Sequence, residues 1–208
     1  MTPVIYLHGF ASSPASSKAR FFQDRLEQAG FSVTVPDLAE GDFEHLTITR
    51  QLAVIERHAG GAPVQLIGSS LGGYLAALYA ARHPQVSRLV LLAPAFEFIR
   101  RWPERLGRDG MEAWQRAGSI EVYHYGEKRE CRLGYGLIED ASQYEDYPDC
   151  RQPALIFHGA HDEVVPPQVA RAFAKGRDQV RLEIVDSGHD LLDVLEYMLP
   201  RVAAFLGG

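Results

Sequence analysis

Six residues, Gly68-Ser69-Ser70-Leu71-Gly72-Gly73, stand between an apolar run of strand composition, Val64-Gln65-Leu66-Ile67, and an alanine-rich run of helical composition, Tyr74 to Arg82. A strand that passes into a helix across so few residues has little choice of backbone. The residue at the apex sits on a strained turn, and the positions two before and two after it are pressed against the returning helix, where a Cβ has no room. Ser70 has glycines at both of those positions, Gly68 and Gly72, whereas Ser69 would have Ile67 and Leu71 there. The spacing makes this a nucleophile elbow with Ser70 as its candidate nucleophile.

The rest of the chain supplies the sheet that such a turn requires. Short, mostly apolar runs at Val4 to Leu7, Ser32 to Val35, Val64 to Ile67, Ser87 to Leu92, Ala154 to His158 and Arg181 to Val185 read as strands covered on both faces. Helical patterns alternate with them at Ser16 to Ala29, about Glu44 to Ala59, Leu71 to Arg82, Pro167 to Lys175 and Asp190 to Phe205, with Gly30, Gly60-Gly61, Pro84 and Gly176 placed to end the first four. Alternation of this kind predicts an α/β fold, a parallel sheet of about six strands wrapped by helices. At 208 residues with 46% hydrophobic composition, the chain reads as one domain over 1–208.

Residues 96–147 break the rhythm. They hold no clean sheet strand, yet contain both tryptophans, Trp102 and Trp114, together with Met111, Tyr123, Tyr125, Tyr135 and Tyr144. So long a connection within a compact domain reads as a lid or binding excursion. Arg101 to Gly118 predicts one or two short helices, and Ile120 to Tyr125 with Glu130 to Gly134 predicts a small hairpin turning near Gly126 to Arg129. Trp102, Met111 and Trp114 have two readings, packing this segment onto the body or lining a substrate pocket.

Bulk properties narrow the partners. A formal net charge of −6 offers no basic surface for a phosphate backbone, so no nucleic acid is expected. The apolar stretch at the start is too short for a signal peptide and no run approaches a membrane span, which reads as a cytoplasmic protein. Cys131 and Cys150 lack the spacing of a metal site and read as reduced thiols, and no metal is expected.

A serine nucleophile needs a base within hydrogen-bond reach and an acid that orients the base, and after an elbow of this type they follow in the order acid, then histidine. His189 follows the last strand across Ser187-Gly188 and precedes the final helix, so its ring can reach over the carboxyl ends of the strands. Asp162, on the loop after the penultimate strand, is the preferred acid, with Glu163 and Glu97 as competitors. His158-Gly159 closes the strand before that loop. For a developing oxyanion, the backbone amides of Leu71, after the nucleophile, and Phe10, after His8-Gly9, are the candidate donors. Arg100, Arg101 and Arg105 read as a solvated helix face, with an acidic headgroup or a coenzyme A phosphate as the functional alternative.

Together, Leu7-His8-Gly9-Phe10 with Ser12-Ser13-Pro14, the elbow Gly68 to Tyr74, the acid loop Phe157 to Pro166 and Ser187-Gly188-His189 resemble the α/β-hydrolase superfamily, in particular its small bacterial YqiA-like esterases. The resemblance spans nearly the whole chain outside residues 96–147. It implies a three-layer α/β/α sandwich with a trimmed sheet, because the chain has no room before Val4 for the two leading strands of larger members. It also implies hydrolysis of small acyl esters or thioesters through an acyl-enzyme on Ser70, without a cofactor. A serine peptidase and a non-catalytic binding module are the alternative functions.

Overall fold

The computed structural model describes residues 2–208. The strands of the main sheet are β1 (Val4–Leu7), β2 (Val33–Thr34), β3 (Val64–Ser69) and β4 (Val86–Leu92), then, beyond a hairpin of β5 (Ser119–His124) and β6 (Arg129–Gly134), β7 (Ala154–Gly159) and β8 (Val180–Val185). Their order is β2-β1-β3-β4-β7-β8, and every neighbouring pair is parallel. Parallel strands buried on both faces account for the continuous apolar runs: β1, β3 and β7 have no exposed residue.

Helices cover both faces. On one face lie α1 (Ser17–Gln28) and α7 (Leu195–Gly207), whose Ala19, Phe22, Leu26, Met198 and Val202 pack on Val4, Tyr6, Ile67, Val90 and Phe157. On the other lie α2 (Ile48–Ala59), α3 (Leu71–Arg82) and α6 (Pro167–Ala174), packed on Leu7, Leu66, Leu89 and Ile156. The chain is therefore the three-layer α/β/α sandwich that its alternation predicts. Residues Leu71 to Ala80 of α3 are all buried, so the helix behind Ser70 is apolar on every side. That burial makes α3 a rigid mount.

Capping chemistry explains where the elements depart from the sequence pattern. The second helix starts at Ile48, not near Glu44, because Thr47 accepts the amide of Arg50 and so fixes the first turn. The last helix starts at Leu195, not Asp190, since Leu191 adopts a left-handed φ of 56° and a 3₁₀ turn over Leu192–Val194 intervenes. No helix among the described residues is long and apolar enough to cross a membrane.

Between β4 and β7 the chain leaves the sheet as α4 (Phe98–Ala117), the β5–β6 hairpin and α5 (Gly136–Ala141). Gly107, at φ 68° and ψ 174°, divides α4 into two helical pieces. The two ends of the excursion are fastened together where it leaves and re-enters the body: the Tyr147 hydroxyl donates to Glu97 at 2.9 Å and Arg100 pairs with Asp146 at 2.6 Å. Arg82 of α3 holds Glu145 with two bonds of 3.0 and 2.8 Å. The hairpin leans on the loop after β1, where the Tyr125 amide donates to the Ala11 carbonyl at 2.8 Å. Both cysteines are buried and unbridged, and burial pushes the Cys150 thiol up to about 11.

Candidate active site

Ser70 is the residue between β3 and α3, with φ 53° and ψ −117°. Positive φ in a residue with a Cβ is costly and persists only where the surroundings hold it. Here the Ser70 amide donates to Leu92 at 2.8 Å and its carbonyl accepts from Ala95 at 3.0 Å, so the end of β4 grips the turn from both sides.

The flanking glycines are required by contact, though by different neighbours. A methyl on Gly68 would lie 2.2 Å from the Gly72 carbonyl oxygen and 2.7 Å from the Gly73 Cα, which is crowding by the returning helix. One on Gly72 would lie 2.1 Å from the Leu7 oxygen and 2.6 Å from the His8 oxygen. The second glycine thus answers to the end of β1 and not to its own helix, a partner that the local sequence does not contain.

The three side chains selected from sequence meet above the strand ends. His189 Nε2 lies 3.0 Å from Ser70 Oγ, and His189 Nδ1 lies 2.7 Å from Asp162 Oδ2. A third crowded glycine explains why the acid and histidine loops come so close. A methyl on Gly159 would lie 2.4 Å from the Ser187 oxygen and 2.3 Å from the Gly188 oxygen, so the loops after β7 and β8 touch backbone to backbone. Glu97, the competing acid, lies elsewhere, bonded to Tyr147 at the mouth of the excursion.

Asp162 is buried, at 6% exposure, and its oxygens are fully engaged. Oδ1 accepts the amides of Val164 at 2.9 Å and Val165 at 2.7 Å. Burial alone would raise its carboxyl, but the hydrogen bonds from His158, His189 and the Val165 amide outweigh that and hold it well below the usual carboxylate range. His158 is the participant that sequence reading missed, having placed it only as the end of a strand. Its signal was the four-residue spacing to Asp162, which acquires meaning only when the strand ends and the chain doubles back.

The backbone amides expected at the site are positioned as follows. Leu71 is the first residue of α3, so its N–H has no helical acceptor and points out of the positive end of the helix. Phe10 follows Gly9, and a methyl on Gly9 would sit 3.4 Å from Ser70 Cβ, so this loop passes directly beside the serine. The loop is fixed by His8, whose Nε2 accepts the Leu38 amide at 3.2 Å while Nδ1–H donates to Gly9 at 3.0 Å. Burial lowers the His8 pKa, in keeping with this uncharged tautomer.

The aromatic residues of the excursion form a wall behind Phe10. Trp102 meets the Phe10 ring edge-on at 5.7 Å and Trp114 at 4.8 Å, and Phe98 closes the group at 6.2 Å from Trp102. Trp114 is fully buried and donates its indole N–H to Leu133 at 3.1 Å, which supports the packing reading of this residue over the pocket-lining one. Trp102, 5% exposed, bears on the site through Phe10, and Met111 is half-buried against the hydrophobic core on this side of the sheet. Two cavities lie away from Ser70. One of about 410 Å³ lies between β7, β8 and α7, lined by Leu155, Arg181 and Phe205, and one of about 260 Å³ lies between Glu44 to Thr47 and Gly134 to Leu137.

Lys18, in the first turn of α1, adds a cation near Asp162. Burial pushes this half-buried ammonium down to about 8, against the pull of Asp190 and Asp162. A lowered folded value for a lysine destabilises the fold at every pH below that value, and the effect fades as pH rises through the unfolded value of 10.5. Lys18→Met is therefore expected to raise the thermal midpoint at neutral pH and to lose that advantage in strong alkali. An unchanged or lower midpoint at neutral pH in differential scanning calorimetry would contradict this account of Lys18.

The sequence profile of the Uncharacterised protein family UPF0227 matches residues 3–207. The chain belongs to this family. UPF0227 membership agrees with the YqiA-like resemblance carried by the elbow and its partner loops. Two relatives are similar over shorter stretches. Pimeloyl-[acyl-carrier protein] methyl ester esterase of Chromobacterium violaceum is 27% identical over 61% of this chain and 63% of its own length. Palmitoyl-protein thioesterase ABHD10, mitochondrial, of Bos taurus is 25% identical over 78% of this chain and 58% of its own. The matched regions thus cover about three-fifths of each relative. Among solved structures, alpha/beta hydrolase domain-containing protein 10 from mouse superposes with a TM-score of 0.81 at 19% identity, covering 99% of this chain and 89% of that one. This UPF0227 chain therefore has the α/β-hydrolase fold.

Proposed function

We propose that the protein is a serine hydrolase of carboxylic acyl esters or thioesters, acting through an acyl-enzyme on Ser70. The observation that carries the reading is the unbroken path from Ser70 Oγ to His189 Nε2 at 3.0 Å and from His189 Nδ1 to Asp162 at 2.7 Å. In this path His189 takes the proton of Ser70 as the oxygen attacks the acyl carbonyl, then gives it to the departing alcohol or thiol. Water enters by the same route in reverse and releases the acid. Asp162, held ionised by its hydrogen bonds, keeps the imidazole proton on Nδ1 so that Nε2 is free to accept. The Phe10 and Leu71 amides are the proposed oxyanion donors, each worth about 10² to 10³ in turnover. Support for acyl esters and thioesters comes from the names of the two relatives, one an esterase and the other a thioesterase. Residues 96–147 act in this reading as a lid insertion within a single domain over 1–208, its stem fastened at Glu97 and Tyr147.

Labelling with a fluorophosphonate probe tests the nucleophile, and parallel turnover of acyl thioesters, aryl esters and peptide amides tests the substrate class. The wild-type chain is expected to label at Ser70 and to turn over esters or thioesters well above amides. Absence of labelling, or faster turnover of amides, would overturn the reading.

Asp162→Asn is expected to lower turnover by about 10⁴-fold, since an amide offers the Nδ1 proton a poorer partner and lets the imidazole adopt the wrong tautomer. The same carboxylate also bears on stability. Its folded pKa is lowered, so its contribution is complete above the unfolded carboxylate value and is lost as pH falls through the folded one. Acid titration of the wild type followed by circular dichroism, compared with the asparagine variant, measures that share.

A further inference from the structure

The acid of the proposed triad has two histidines on one oxygen. His158, the penultimate residue of β7, has no exposed surface, and its Nε2 lies 2.7 Å from the Val165 carbonyl and 3.1 Å from Asp162 Oδ2. Both neighbours are acceptors, so Nε2 carries the ring proton and shares it between them. Val165 in turn donates its amide to Asp162 Oδ1 at 2.7 Å. The three residues form a closed ring of hydrogen bonds that ties the acid loop to the end of β7. Nδ1 of His158 is buried without a partner, so a proton placed there would have no acceptor.

We propose that His158 is a positioning residue for acyl transfer: its Nε2–H fixes the Asp162 carboxylate and leaves one defined lone pair of Oδ2 for His189. The proposal rests on the serine hydrolase reading given above. Without His158, Oδ2 would accept from His189 alone, and the carboxylate would lose the one donor that holds Oδ2 from the side of β7, keeping only the Val164 and Val165 amides on Oδ1. It would also become more basic, because each hydrogen bond to a carboxylate stabilises the ionised form. A more basic Asp162 holds the His189 proton more firmly, so the base becomes available only at higher pH. The other titratable groups acting on Asp162 are His189, from the loop after β8, and Lys18, from α1, which is itself drawn to Asp190.

His158→Leu, close in volume and without a donor, is compared with His158→Gln, whose side-chain amide reaches the place of Nε2. With p-nitrophenyl acetate from about pH 5 to 9, the leucine variant is expected to lose roughly 10²-fold in kcat. Its KM should change little, and the rising limb of its pH profile should move to higher pH. The glutamine variant is expected to recover most of the rate and to return the limb. Equal behaviour of the two variants, or a leucine variant whose limb does not move, would overturn the proposal. Should the leucine variant not fold, the tautomer is read on the wild type by NMR of ¹⁵N-histidine-labelled protein. A slowly exchanging Nε2–H on His158 is expected, and an Nδ1–H tautomer would refute the clamp. Fluorophosphonate labelling of the wild type separates the two failures. A labelled Ser70 with an unresponsive His158 defeats only this proposal, whereas an unlabelled, inactive wild type defeats the hydrolase reading and leaves the NMR result to judge the clamp.

Discussion

Ser70→Ala is expected to abolish fluorophosphonate labelling and to lower turnover of aryl esters by about 10⁶-fold, because a proton-relay path without its nucleophile retains only the contribution of binding and backbone donors. The fold should survive the change. Alanine has a Cβ as serine does, so the strained turn at φ 53° is neither relieved nor worsened. The bonds that hold it, from the Ser70 amide to Leu92 and from Ala95 to the Ser70 carbonyl, are backbone bonds that the substitution does not touch. Nor can the neighbouring Ser69 take over, since it is buried on β3 and does not reach His189. Steady-state kinetics and a thermal melt on the same preparation give both answers. A variant with more than about a thousandth of wild-type turnover would exclude an acyl-enzyme on Ser70.

The largest loss of stability is expected from Gly72→Ala. The added methyl would stand 2.1 Å from the Leu7 carbonyl oxygen and 2.6 Å from that of His8, and both contacts are with backbone that no rotamer change can move. Relief requires α3 to withdraw from the end of β1. Yet α3 is buried through Ala80 and mounted between the sheet and its neighbours, so withdrawal would open voids along the whole helix. Overpacking of this kind lies at or above the top of its usual range, about 3 kcal/mol, which lowers the thermal midpoint of a chain this long by roughly 10 °C. The same displacement separates Leu71 from Phe10 and should cost turnover at least about 10²-fold. Gly136→Ala is the control: a methyl there meets nothing within 4 Å, and the expected change is within about 0.5 kcal/mol. A Gly72→Ala variant as stable as this control would mean that the elbow is less crowded than its contacts indicate.

Much of the architecture was legible because strands buried on both faces must be apolar and the helices between them must be amphipathic or capped. β1 and α3 begin and end where their patterns do, and the other strands of the sheet differ from theirs by a residue or two. The excursion was legible as an interruption, and its hairpin by alternation, but its path was not. The stem that joins Glu97 to Tyr147 depends on residues fifty positions apart, and periodicity carries no information about such pairs. The two readings of Trp114 could not be separated in sequence for the same reason: its indole bonds to Leu133, on a strand that the helix reaches only after the hairpin has turned back.

The elbow itself divides along the same line. Local spacing was enough to select which serine could occupy the turn, because two glycines at fixed distance are a local steric condition. The sequence also ordered the candidate acid and base along the chain. The folded arrangement was needed to reveal what crowds the second glycine, which is the end of β1. It alone brought Asp162, already preferred over Glu97 by its place in the chain, against His189, since that meeting depends on which loops converge above the strand ends. It alone brought His158 under the acid, because a strand residue and a loop residue four positions apart face each other only once the chain has folded back. Spacing reports local sterics faithfully, whereas the protonation and orientation of a buried carboxylate are set by whatever the fold packs around it.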